Sequence, residues 1–390
     1  MERITFTPTQ DLLDLQMMFD THRHQLRIVG GAVRDLVLGH EPKDIDLCTT
    51  ATPDEMIEVG AAFPLGCRVV PTGLQHGTVT FVMKDGGAYE ITTLRIDTDT
   101  DGRHADVQFT TSFEQDAARR DLTINAMSMD INGTVYDYFD GLKDLKANAI
   151  QFVGDPETRI REDYLRILRY FRFAARFRST MFNDDLKIIE YWARGLRTIS
   201  KERIWSEMSR LLMSEPATRR LIMETMEKYK VLDAIGMEYR YRHGHSLVER
   251  ADCPVTAMAC YITGNGEEFA RSWHMSVPEI QKLAWLSDKK LDCPFQYDVE
   301  DMLVAGKPRD WVVSWTKLHG DARCVFHAEN WPIPEFPVKG QDLLDAGMRP
   351  GKAVGKELAY MKRVWIESRF TKTKDDLLCP AEVITPKQTA

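Results

Sequence analysis

Two hydrophobic rhythms divide this chain. Over roughly the first 150 positions, short β-rich runs alternate with turn signals: Arg27-Ile28-Val29, Arg68-Val69-Val70, Gly77 to Met83, and Tyr89 to Leu94 read as strands. Asp85-Gly86-Gly87 between the last two predicts a hairpin turn. Helices are expected to start near Gly31, after Thr52-Pro53 with threonine as cap and proline in the first helical position, and near Thr123. From Asp163 onward the apolar positions recur at helical spacing, and no strand is expected before the end. The run Asn330-Trp331-Pro332-Ile333-Pro334-Glu335-Phe336-Pro337 punctuates this region as a linker, and a last small helical unit follows. The expected fold class is α+β, with a small mixed sheet first and an all-α remainder.

The 390 residues exceed what one core organises, so two to four domains are expected. No run of about 18 apolar residues exists, and the first residues lack the order of a secretory signal or transit peptide. Seven scattered cysteines without a Cys-x-x-Cys pair argue for reduced thiols in a cytoplasmic setting, against zinc or a disulfide framework. A net charge of −8 looks wrong for a nucleic-acid binder, but its distribution changes that. Arg159 to Arg220 carries 15 basic against 8 acidic residues, and Lys339 to Lys374 carries 9 against 4. Two basic regions on an acidic body suit a polyanion gripped at chosen places, although solvated helix faces would read the same way.

Gly30-Gly31 followed by Asp44-Ile45-Asp46 carries the most chemistry. The glycines follow a short strand and open a helix, so backbone amides can approach an anion, and Arg34 sits one turn in. Apolar Ile45 and Leu47 make the carboxylate segment a predicted strand. Residues i and i+2 then share a face, and Asp44 and Asp46 can hold divalent metal together. Separately, a Gly-Gly and an Asp-x-Asp are ordinary turns and caps; in this order they predict a metal-dependent nucleotide site. The polar stretch Ile96 to His104 reads as a mobile loop or a plain hairpin connection.

Arg119-Arg120-Asp121 precedes the predicted helix at Thr123, where Asp121 is either functional or a cap. Further on, Asp163, Arg166, Arg169 and Arg172 follow one i, i+3 row, each step turning about 60° around a helix. Apolar neighbours on both sides leave those guanidinium groups needing anionic or acceptor partners. Cytosine and adenine both present an amino donor beside a ring-nitrogen acceptor. Asp163 can accept from the first and Arg166 can donate to the second, whereas uracil and guanine would oppose both. The plain alternative is an intrahelical Asp163–Arg166 salt bridge.

With these residues in view, the chain resembles the class II CCA-adding enzymes, tRNA nucleotidyltransferases of the polymerase-β-like superfamily. The matching runs are Gly30 to Asp35 with Asp44-Ile45-Asp46, Asp101-Gly102-Arg103-His104, Arg119 to Ala126, Glu162 to Phe173, and Glu202-Arg203-Ile204-Trp205. Tyr164, where many bacterial members have proline, and the run Trp331 to Val338 look like the eukaryotic and mitochondrial branch. The resemblance implies a catalytic head over 1–150, a base-recognition neck over 151–220, a helical body over 221–330 and a tRNA-binding tail over 331–390. It implies that Asp44 and Asp46 bind two Mg²⁺ ions, that Gly31, Arg34 and Arg120 contact the nucleotide, and that Asp163 and Arg166 read the base. Arg169 and Arg172 would also contact the nucleotide, and residues 97–108 would form the family's flexible loop. Glu90 is a third candidate carboxylate.

The implied reaction is template-independent addition of C, C and A to a tRNA 3′ end from CTP and ATP, releasing pyrophosphate. Rival readings are an A-adding, CC-adding or poly(A)-polymerase member of the same family, or a catalytically silent RNA-binding protein.

Overall fold

The structure, a computed structural model, describes residues 2–63, 66–98, 106–237, 247–262, 264–287 and 296–378. Asp101-Gly102-Arg103-His104, most of the 97–108 loop, Cys293 and Cys379 lie outside the described residues. Two compact units are present, Met1–Ser287 and Asp288–Ala390.

The first unit opens with a mixed eight-stranded sheet in the order β1-β10-β9-β2-β3-β6-β5-β4. The strands are β1 (Glu2–Arg3), β2 (Leu26–Val29), β3 (Leu47–Thr49), β4 (Cys67–Gly73), β5 (Thr78–Met83), β6 (Ala88–Thr93), β9 (Ser128–Met129) and β10 (Thr134–Tyr136). All pairings are antiparallel except β3 with β6, where Leu47, Cys48 and Thr49 run level with Ile91, Thr92 and Thr93. A separate hairpin joins β7 (Arg95–Thr98) to β8 (Asp106–Phe109). Alternation along the strands selects the faces. Leu26, Ile28, Leu47, Val79, Phe81 and Ile91 face a core closed by α1 (Gln10–Thr21) and α3 (Pro53–Ala61). Thr52 caps α3 through a full capping box with Glu55, as the Thr-Pro signal predicts. Val29 and Cys48 turn to the opposite face, toward Phe113 at the start of α4 (Phe113–Ala118). That opposite face carries the candidate chemistry.

The helix expected near Thr123 is not formed. Thr123–Asn125 make a single 3₁₀ turn, after which the chain re-enters the sheet at β9. The Asn125 side chain is held there by Arg34 and Asp121, which fixes the turn where a longer helix would displace it. Among the described residues after Asp163 the regular elements are helical, as expected. α5 (Gly141–Lys146) and α6 (Pro156–Glu162) come before Asp163, and after it follow α7 (Leu165–Phe177), α8 (Asn183–Trp192), α9 (Lys201–Leu212), α10 (Pro216–Lys228) and α11 (Val231–Ile235). On α7, Leu165, Ile167, Leu168, Tyr170, Phe171 and Ala174 are buried, leaving the arginines as the other stripe. Burying each such large apolar side chain is worth about 1.5–3 kcal/mol, so the arginine stripe is aimed by the core behind it. Tyr170 stacks on Phe152 at 5.1 Å and ties α7 to the segment leaving the sheet.

In the second unit, Val304, Val338, Leu343, Met361 and Trp365 form a small core, and Trp331 and Phe336 pack on it. The proline-punctuated run therefore docks within this unit; Arg309 donates to Trp331 O at 2.8 Å.

Candidate active site

The row of candidate residues converges on one cavity of about 430 Å³, where the exposed face of the sheet meets α7. Gly30 and Gly31, Arg34, Asp46, Arg120, Asp163, Arg166 and Arg169 all line it. Gly30 ends β2 with φ +68°, a left-handed conformation suited to glycine, and a Cβ there would stand 3.0 Å from Arg120 Nη1. The glycine pair thus leaves room for guanidinium groups. Because α2 (Gly31–Val37) is only seven residues long, the positive charge in this corner comes chiefly from those side chains.

Arg34 is buried and held at each of its three nitrogens. Its Nη1 donates to Asn125 Oδ1 at 2.5 Å, and its Nε and Nη2 donate to Asp35 Oδ1 at 3.0 and 2.9 Å. Its guanidinium carbon lies 5.1 Å from the ring centres of both Phe173 and Phe177. Burial lowers its pKa, against the pull of Asp35. Arg120 donates to Asp116 Oδ2 from Nε at 3.2 Å and from Nη2 at 2.9 Å, and Nη2 also faces Cys48 Sγ at 3.7 Å. Arg119 shares the same carboxylate at 2.9 Å. Asp116 is buried, but the burial penalty is outweighed by Arg120 and Arg119, which hold its pKa below the usual carboxylate range.

The two aspartates do not sit inside a strand. β3 begins at Leu47, so Asp44 and Asp46 lie in the loop that feeds it. The ladder still reaches Asp46, whose carbonyl accepts from Val29 N at 3.0 Å. Asp46 lines the cavity and Asp44 does not, although both side chains keep solvent exposure. Burial raises the pKa of Asp46, Arg120 opposes this, and the charge of Asp44 raises it further. The carboxylates are therefore close enough to repel, which is what a hard divalent cation relieves. Glu90 precedes Ile91, the partner of Leu47, and so stands one position back on the neighbouring strand, level with Asp46. Among the described residues no three His, Cys, Asp or Glu side chains form a cation cage, so Glu90 does not complete one.

One continuous helix from Glu162 to Phe173 is not what forms. The chain breaks at Asp163, with φ −153° and ψ 106°, between α6 and α7. Asp163 Oδ1 accepts from Leu165 N at 3.0 Å, and its Oδ2 accepts from Arg203 Nη2 at 2.8 Å. Tyr164 is accommodated because Gly195 opposite has no side chain; a Cβ there would clash with the Tyr164 ring at Cδ1 and Cε1. Arg166 donates from Nη1 to Glu162 Oε2 at 2.6 Å and Arg159 O at 3.1 Å, and from Nη2 to Arg119 O at 3.0 Å. Asp163 and Arg166 are thus each held by other groups, and the simple intrahelical salt bridge between them is not formed.

Arg169 Nε donates to Asp121 Oδ2 at 2.6 Å. Asp121 is therefore not a helix cap but the anchor of an α7 arginine. Arg172 departs from expectation: it does not line the cavity, and its Nε lies 2.9 Å from Glu207 Oε2 on α9. Asp116 and Glu207 were not singled out from the sequence, and Asn125 and Arg203 stood there only within matching runs, without a role. Asp116 had a signal, since it precedes Arg119 and Arg120 by three and four residues on α4, but Glu207 and Arg203 meet their partners only through the fold.

The Poly A polymerase head domain family matches residues 26–151. The mitochondrial CCA tRNA nucleotidyltransferase 1 of Danio rerio is 36% identical over 95% of this chain and 90% of its own length. The CCA-adding enzyme of Bacillus pumilus is 32% identical over 91% and 92%. The chain belongs to the CCA tRNA nucleotidyltransferase family. A solved Bacillus stearothermophilus CCA-adding enzyme in complex with CTP superimposes with a TM-score of 0.76 at 26% identity, covering 94% of each chain. Family membership makes the protein a nucleotidyltransferase, and enzymes of the superfamily typically use divalent metal ions. No helix among the described residues is long and apolar enough to cross a membrane.

Proposed function

We propose that this enzyme adds C, C and A to the 3′ end of tRNA, using CTP and ATP and releasing pyrophosphate. The observation that carries the reading is the single cavity in which Asp46, the Gly30-Gly31 turn and Arg120 face Asp163, Arg166 and Arg169. In this reading residues 1–150 are the catalytic head, 151–220 the base-reading neck, 221–330 the body and 331–390 a tRNA-binding tail.

Asp163 accepts from the amino group of cytosine or adenine, and Arg166 donates to the adjacent ring nitrogen. Arg203 and Glu162 hold these two side chains in place, which limits the reorganisation needed to meet the base. Uracil or guanine would leave two polar groups opposed. At roughly 1–3 kcal/mol each, that is a penalty of about 2–6 kcal/mol, or 30-fold to more than 10⁴-fold. Gly31, Arg34, Arg120 and Arg169 surround the triphosphate. The 3′-hydroxyl oxygen of the RNA attacks the α-phosphorus in line, and the bond to the β-phosphate oxygen breaks as pyrophosphate leaves. Asp44 and Asp46 would hold two Mg²⁺ ions, which when bound lower the pKa of that hydroxyl and neutralise triphosphate charge. The turn Gly347 to Lys352 and the basic helix behind it offer a second, shape-reading contact with RNA.

The deciding experiment offers tRNA ending at the discriminator base, at -C and at -CC, with each nucleoside triphosphate alone and together. Two CTP additions, one ATP addition and then arrest support the reading. Arrest after CC, A alone, or an extended A tail assigns the narrower family activities. Asp44→Ala should bind tRNA and incorporate nothing; appreciable turnover contradicts the metal role. The described cysteines form no disulfide, which favours the cytoplasm, while the names of the animal relatives favour mitochondria. Cell fractionation with antibody detection decides between them.

A further inference from the structure

We infer that a second arginine-lined cleft, beside the nucleotide cavity, holds the sugar–phosphate backbone of the RNA acceptor strand near its 3′ end. The inference rests on the nucleotidyl-transfer reading above. The cleft, of about 450 Å³, lies among the C-terminal half of α7, the end of α9 and the start of α10. Arg172, Arg176, Arg178 and Arg210 line it against one carboxylate in its wall, Glu215. Phe173 belongs to the walls of both this cleft and the nucleotide cavity, so the two adjoin.

Each arginine is held only loosely or at one edge. Arg176 donates to Asp35 at 3.1–3.2 Å with half its side chain exposed, and Arg210 lies 3.8 Å from Glu207 with 61% exposed. Arg178 follows the end of α7 in a left-handed conformation, φ 52°, and its charge is felt by Glu215. Arg172 Nε and Glu207 Oε2 are close but misaligned, leaving both without a formed hydrogen bond, and Ser214 Oγ in the wall is buried without a partner. Burial pulls the Arg172 pKa down to about 10, Glu207 opposes this, and the charges of Arg169 and Arg210 add to the lowering. Cationic charge has gathered here faster than acceptors have.

Such a surplus suits a polyanion. The wall also presents Met213, 61% exposed, an apolar surface on which a sugar or base can rest. The glycine turn and Asp46 of the first cavity are absent from this cleft's lining, so it lacks the parts that suit a free nucleoside triphosphate. A strand tracked by these arginines would arrive beside Phe173, where its 3′ end must enter the first cavity.

The test compares wild type with Arg178→Gln/Arg210→Gln and Arg178→Lys/Arg210→Lys, each shown to be folded by its melting curve. Filter binding of tRNA across a salt series is measured alongside CTP incorporation and calorimetric CTP binding. The glutamine pair should raise the tRNA Kd and KM about tenfold and flatten the slope of log K against log salt by about 1.4–1.8, because two phosphate contacts are lost. The kcat at saturating tRNA should stay within twofold, the CTP Kd should not move, and the lysine pair should recover most of the affinity. Unchanged tRNA affinity and salt slope in the folded glutamine pair would overturn the assignment. A weakened CTP Kd instead would also overturn it, giving the cleft to the free nucleotide. If wild type incorporates no CTP, the transfer reading fails, and the binding series still decides the cleft.

Discussion

Replacing Asp121 by alanine tests whether the sheet and the α7 arginine row are electrostatically fastened. The Asp121 side chain is 8% exposed and accepts from Arg169 Nε at 2.6 Å, while Arg169 itself is 32% exposed. Breaking a fully buried pair costs about 3–5 kcal/mol, because a charge is left stranded. Arg169 is not fully stranded: it can hydrate, and Glu207 lies 3.8 Å from its Nη1. The lower figure for a charged hydrogen bond, about 2 kcal/mol after allowing for solvent screening, is therefore expected. For a unit of this size that lowers Tm by roughly 5 °C. The pH dependence has a definite sign. Burial would raise the Asp121 pKa, but Arg169 outweighs it and holds the carboxyl below its usual range. Its stabilisation is complete above the unfolded value near 3.9 and is lost as pH falls through the lower folded value. Melting curves should show a constant gap between wild type and Asp121→Ala from pH 5 to 8, narrowing only below about pH 4. A gap under 1 °C at pH 7, or one that closes between pH 7 and 5, would refute the reasoning.

Arg203→Ala removes the donor that holds Asp163 Oδ2, a partly exposed charged hydrogen bond worth about 1 kcal/mol. The preference for CTP over UTP in kcat/KM should narrow about fivefold, and a melting shift with unchanged selectivity would argue for a purely structural role. Asp185 behaves oppositely to Asp121: burial, with help from Asp184, pushes its pKa up to about 6 against the Tyr170 hydrogen bond. The folded state then binds the extra proton between about pH 4 and 6, so stability falls as pH rises through that window. Asp185→Asn should therefore melt higher than wild type at pH 7, with the difference shrinking toward pH 4.

Strands, the capped start of α3 and the Gly30 turn were legible because each depends on local chemistry: alternation, a Thr-Pro cap and a backbone angle that favours glycine. The break at Asp163 was not, since an i, i+3 row continues unchanged whether or not the helix runs through its first member. What interrupts it is local, the Leu165 amide, together with an arginine forty residues away. The expected helix at Thr123 failed for a related reason, because Asn125 is claimed by Arg34 from α2. Arg172 shared its spacing with Arg166 and Arg169, yet Glu207 on α9 draws it aside. Periodicity placed these side chains on the right stripe of α7, and only tertiary acceptors decide what each one touches.

Those acceptors explain how one cavity can carry five arginines before any nucleotide arrives. Arg34 is held by Asp35 and Asn125, Arg119 and Arg120 by Asp116, Arg166 by Glu162, and Arg169 by Asp121. Each guanidinium has five N–H donors, so anchoring some of them leaves others for a phosphate or a base. Ordering a long side chain on binding costs about 0.5–1.5 kcal/mol. Five arginines already ordered spare the incoming triphosphate roughly 2.5–7.5 kcal/mol. The carboxylates that do this holding also cap the net repulsion among the cations, which burial would otherwise make prohibitive. Affinity for the triphosphate thus follows from fixed pairs that treat every nucleotide alike. In the proposed reading, discrimination is left to Asp163, held by Arg203, and Arg166, held by Glu162.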